Sequence, residues 1–136
     1  MAVSARPQLR SAALLGFAAG LRTFSAPAAL ALRHRPLTKP ARAVLIAAAG
    51  ELVADKLPST PSRLERRGLI GRVLSSAFAG RSVAGPAGAA SGVACALTSA
   101  IAGNRARAAV SSPLAAFAED WLAISLATLG ASRRAG

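Results

Sequence analysis

Three stretches of the chain are nearly free of charge. Residues 82–104 carry none, residues 11–32 carry only Arg22, and residues 108–132 carry only Glu119 and Asp120. Apolar and small residues recur in them at helical spacing, and no alternating run of useful length occurs, so helices are predicted and a sheet is not. At about 1.5 Å per residue, about 20 helical residues match a hydrocarbon layer roughly 30 Å thick. Basic residues gather between these stretches: Arg6 and Arg10, then Arg33, Arg35, Lys39 and Arg42, then Arg63, Arg66, Arg67 and Arg72, then Arg105 and Arg107, then Arg133 and Arg134. That punctuation predicts an all-α fold, a polytopic membrane helix bundle of about four spans plus a short broken or re-entrant helical segment.

The expected organisation is a basic leader over 1–10, one transmembrane helical domain over 11–132 and a short basic tail over 133–136. The first helix is predicted over 11–26 with a break near Ser25 and Pro27, resuming to Leu32. Arg22 interrupts the apolar run that follows the leader, so signal-peptide cleavage is not expected. Residues 36–40 read as a turn, 41–57 as a short helix stopped by Pro58, and 58–62 as a rigid polar loop. An apolar segment over 68–80 carries Arg72, and Gly85-Pro86 separates it from the long uncharged helix. Ser112 and Pro113 form an N-cap and first-turn pair that opens a last helix to about Gly130.

Composition narrows the chemistry. Alanine, arginine, glycine and proline number 36, 15, 12 and 8 of 136 residues, all types with GC-rich codons, so the net charge of +12 is a blunt guide to partners. Leu, Ile, Val and Phe total only 33, which leaves any core to be built largely from alanine and argues against an ordinary soluble enzyme. A single Cys95 excludes intrachain disulfides, and a single His34 excludes a histidine-rich metal site. The arginines are scattered rather than gathered on one face, and aromatic stacking platforms are missing, so no nucleic acid is expected as a partner. No cofactor is expected. Cys95 reads as a packing residue, His34 as a loop residue and Trp121 as packing or an interfacial belt.

Small residues are spaced for close helix packing. Gly16 and Gly20, and Gly88 and Gly92, form G-x-x-x-G pairs. Around the uncharged helix Val93, Leu97 and Ile101 recur every fourth position and should face lipid. Gly88, Ser91, Cys95, Ser99 and Ala102 should face a neighbour. Acids inside such helices are costly unless paired or hydrated. Glu51 and Asp55 are i and i+4 and share a face with Val44, Ala47, Ala48 and Ala54, whereas Ile46, Val53 and Leu57 point elsewhere. Glu119 and Asp120 share an arc with Ala116, Ala123, Ala127 and Gly130, opposite Phe117, Trp121, Ile124 and Leu129. The candidate site is therefore a polar pocket of Arg22, Glu51, Asp55, Lys56, Glu119 and Asp120. The competing reading puts these acids at helix ends in the headgroup layer, paired only for structure.

Residues 20–28 (GLRTFSAPA), 50–58 (GELVADKLP), 60–63 (TPSR) and 68–72 (GLIGR), with Glu119-Asp120, resemble a bacterial membrane-protein family, that catalogued as domain of unknown function 4126. The likeness runs from about Ala12 to Ile124. It implies a small multi-helix protein of the bacterial inner membrane and brings no reaction or ligand with it.

Two classes of function follow. One is permeation of protons or small cations past the inward acids, in a homo-oligomer or with other membrane proteins; carboxylates without His or Cys favour hard cations. The other is a non-transporting scaffold or assembly factor whose buried charges specify helix pairing. Permeation ranks first because two separate helices present acids inward. Enzyme activity ranks third, for want of a Ser-His or Cys-His pair or a nucleophile motif. With the N-terminus inside and four spans, basic residues divide eight inside against six outside, too evenly to orient the chain in the bilayer.

Overall fold

The fold is organised around a helix that stops and turns back inside the molecule. A computed structural model describes residues 5–33, 38–57 and 66–132, and among them all regular structure is helical: α1 (Ala5–Leu21), α2 (Ser25–Arg33), α3 (Lys39–Ala54), α4 (Arg66–Ala109) and α5 (Pro113–Ser132). The expectations for residues 1–4, for His34 to Leu37, for the loop from Pro58 and Arg63, and for the tail with Arg133 and Arg134 lie outside the described residues.

Local chemistry fixes several boundaries. The Thr38 hydroxyl accepts from the Ala41 N–H at 3.4 Å to open α3, with Pro40 in its first turn, and the Ser112 hydroxyl accepts from the Ala115 N–H at 3.2 Å ahead of Pro113. Two expectations need correction at the first element. Helix α1 begins at Ala5, inside the segment read as a leader. The break falls at Arg22 to Phe24, ahead of Ser25, because Pro27 sits in the first turn of α2, where its missing N–H costs no hydrogen bond.

Helix α4 is two arms, 66–83 and 86–109. Ala84 leaves helical geometry and Gly85 takes φ 62° and ψ −151°, a region open essentially to glycine alone. The arms fold back on each other. A Cβ on Gly88 would strike the backbone at Gly80, and one on Gly92 would lie 2.7 Å from the Ser76 carbonyl. Helix α1 runs parallel to the second arm, with Gly16 against Gly92 and Gly20 against Ala96 and Ser99. The Ser99 hydroxyl donates to the Phe17 carbonyl at 3.0 Å across that contact.

The buried seam of the second arm is Gly88, Gly92, Ala96, Ser99, Ala100 and Gly103. This corrects the expected faces: Ile101 is exposed, but Val93 and Leu97 are half-buried, and Ala102 lies on the outside. The helix is rotated because two partners, α1 and the first arm, converge on Gly92. Helix α5 packs antiparallel to α1, Gly130 meeting Leu15 and Ser11, while α3 packs chiefly on α2. Of α3's expected inward residues Val44, Ala47 and Ala48 are partly buried, whereas Ala54 is exposed.

Side-chain size is inverted relative to a water-soluble protein. The core is Leu15, Ala19, Ala26, Leu30, Ala79, Val83 and Ala131, and among the described residues Leu15 is the one large side chain that is fully buried. Leu114, Trp121 and Ile46 are 80%, 74% and 72% exposed, and Leu74 and Phe78 also point outward. Helices α4 and α5 are long and apolar enough to cross a membrane, and only 28% of each apolar window is buried. The count of about four spans is not supported on this basis. Arg22 to Phe24 split the first apolar stretch into helices of 17 and 9 residues, and α3 has 16, all short of a full crossing by length.

Candidate functional site

The tip formed by Arg22, Thr23 and Phe24 is where α1 ends and α2 starts back. Starting α2 at this partly buried tip leaves N–H groups at Thr23 and Phe24 without intrahelical partners. Here Glu51 of α3 supplies both. One carboxylate oxygen accepts from the Thr23 N–H at 2.7 Å and the other from the Phe24 N–H at 2.9 Å. The negative group thus sits on the positive end of the α2 dipole. The Ser75 hydroxyl of α4 donates to the Thr23 carbonyl, and the Ser25 hydroxyl donates to the Arg22 carbonyl at 2.8 Å.

Arg22 is 3% exposed and is the hub of a charge network. Its guanidinium bridges Asp55 of the α3 C-cap at 2.9 Å and Asp120 of α5. Lys56 closes on Asp120 at 2.6 Å and lies 4.8 Å over the Phe117 ring. Arg107, from the second arm of α4, reaches Asp55 and Glu119, each at 2.8 Å. Arg72 of the first arm is buried and attracted by Glu51 and Asp55. Four carboxylates thus meet four cations drawn from every helix except α2, which contributes its N-terminal N–H groups. Asp120 lies seven residues past Pro113, about 10 Å inside that end of the bundle.

All six residues of the expected polar pocket meet here. Arg22, Asp55, Lys56 and Asp120 are joined directly, Glu119 enters through Arg107, and Glu51 engages the tip backbone. Arg72 and Arg107, read from sequence as part of the punctuation between spans, belong to the network instead. A signal for both exists. Arg107 continues the Gly88, Gly92, Ala96, Gly103 seam by one more turn, and Arg72 precedes the buried Ser76 and Gly80 at four-residue spacing.

Three apolar-walled clefts reach the network. One of about 250 Å³ between α2, α3 and α5 ends at Arg22 and Glu51. Another of about 520 Å³, where α4 and α5 diverge, ends at Arg107 and Glu119, and a third of about 560 Å³ between α3 and α5 ends at Lys56 and Asp120. Cations stand between the carboxylates, and among the described residues no group of three or more His, Cys, Asp or Glu is arranged to hold a metal ion. The class of protein is thus defined by geometry: an all-α bundle with a large-residue exterior, a small-residue core and a buried acid–base cluster. Comparison with family models, curated proteins and solved structures finds no match.

Proposed function

We propose that this chain is a multi-pass protein of the bacterial inner membrane that acts as a non-transporting scaffold, its buried charges specifying how the helices pair. In this reading α5 and the two arms of α4 traverse the bilayer, and α1 with α2 enters from one face and returns to it. Outward bulky residues match lipid, and the small inner faces allow the close helix approach that drives association there. The observation that carries the scaffold reading is that each carboxylate of the cluster is engaged by the protein itself: Asp55 by Arg22 and Arg107, Asp120 by Arg22 and Lys56, Glu119 by Arg107, Glu51 by two N–H groups. A site for passing cations would hold acids in excess of its own cations. We also propose membership of the domain of unknown function 4126 family, since the motifs that carry the likeness contribute Arg22, Thr23, Phe24, Glu51, Asp55, Lys56, Arg72, Glu119 and Asp120 to this cluster.

Permeation is the second reading, favoured by the clefts that bring outside space to Arg22, Arg107 and Lys56. Liposome reconstitution separates the two. On the scaffold reading the parent passes neither protons nor small cations, while Glu51→Gln and Asp55→Asn weaken helix association or recovery of partners. Flux in the parent that disappears in folded, inserted Glu51→Gln would replace it with permeation.

A further inference from the structure

The two ends of the bundle carry unequal charge outside the cluster. Helix α1 begins and α2 and α5 end at one end, as Gly130 against Ser11 and the bond from the Arg33 guanidinium to the Ala131 carbonyl require; α4 folds back there, since its second arm runs parallel to α1 with Gly92 on Gly16, and α3 begins there, since its C-cap Asp55 meets Arg22 at the other end. Arg6, Arg10, Arg33, Lys39, Arg42 and Arg81 are exposed toward that end. Among the described residues the acids are Glu51, Asp55, Glu119 and Asp120, all in the cluster, so none offsets these six cations. At the opposite end the exposed cations outside the cluster, among the described residues, are Arg66, Arg67 and Arg105. The reversal at Arg22 to Phe24 creates this asymmetry. A chain crossing once through residues 11–32 would send Arg33, Lys39 and Arg42 to the face opposite Arg6 and Arg10, whereas the returning α2 brings them together.

We propose that the six-cation end lies against the anionic headgroups of the cytoplasmic leaflet, which fixes the chain with Ala5 and Ser132 inside and the acid–base cluster nearer the outer face. Basic residues near span ends are retained on the cytoplasmic side, and anionic lipid attracts them there. The proposal rests on the membrane reading above and adds direction to it.

Ser111 and Ser132 flank α5 at its two ends and are both exposed. In the full chain with Cys95→Ala, Ser111→Cys should react with a membrane-impermeant maleimide in right-side-out vesicles, and Ser132→Cys only after permeabilisation. The reverse pattern, or equal reaction at both ends before permeabilisation, overturns the orientation. Adding Arg6→Gln, Arg10→Gln, Lys39→Gln and Arg42→Gln should make Ser132→Cys accessible from outside in a fraction of molecules. Unchanged protection would overturn headgroup attraction as its cause. Release of the parent chain by alkaline carbonate is a different failure: it removes the membrane reading, and this proposal with it.

Discussion

Toward its basic end the bundle is joined backbone to backbone; toward the other end it is joined by charge. Gly16, Gly80, Gly88 and Gly92 bring α1 and both arms of α4 so close that a single added Cβ has nowhere to go. Around Arg22 the helices diverge enough to leave clefts, and ion pairs and the Glu51 carboxylate span what packing does not. The difference follows from what each region must satisfy. Continuous helices bond their own N–H and C=O groups, so small faces and dispersion suffice to join them. A chain that ends one helix and starts another within the bundle exposes the N–H groups of the new start and, here, a guanidinium, and these demand acceptors from other helices.

The largest expected effect is at the charged end. Arg22→Ala leaves Asp55 and Asp120 facing each other without their shared cation and should cost about 3–5 kcal/mol of folding stability, read by denaturant titration in detergent. Arg22→Lys should recover only part of it, since an ammonium cannot fork between two carboxylates. A cost near zero for Arg22→Ala would put the hub elsewhere. Gly92→Ala tests the other region: the new Cβ meets the Ser76 carbonyl of the first arm at 2.7 Å, and the loss should be about 1–3 kcal/mol as overpacking. Glu51→Gln keeps one carbonyl acceptor but loses the second and its charge, for about 1 kcal/mol. Gly50→Ala, on the open side of α3 with nothing near the added methyl, should be neutral or stabilising by up to about 1 kcal/mol. A loss there as large as at Gly92 would erase the contrast between the tight seam and the open periphery.

How much of this was legible in the sequence depends on whether a feature is local. The Ser112-Pro113 start of α5, the Gly85-Pro86 fold-back and the inward arc of Asp120, Ala123, Ala127 and Gly130 are written in neighbouring residues and helical spacing. The shared face of Glu51 and Asp55 is local too. The reversal after Leu21 is not. Pro27, the visible breaker, is accommodated in the first turn of α2, and the turn is held instead by Glu51 and Ser75, residues 27 or more positions away. The rotation of the second arm of α4 escaped for the same reason, since Gly92 must serve two neighbours at once. Arg72 and Arg107 sat among other arginines and read as part of the basic punctuation between spans, although continuing the small-residue seam by one turn reaches each of them.

The central claim is that Arg22 fastens the returning tip to α5 through Asp120. A double-mutant cycle of Arg22→Ala and Asp120→Ala, with unfolding free energies measured in the same detergent, tests it most directly. The account predicts that the two losses overlap, with a coupling energy of about 1–3 kcal/mol between the sites. Strictly additive losses, with coupling near zero, would contradict it.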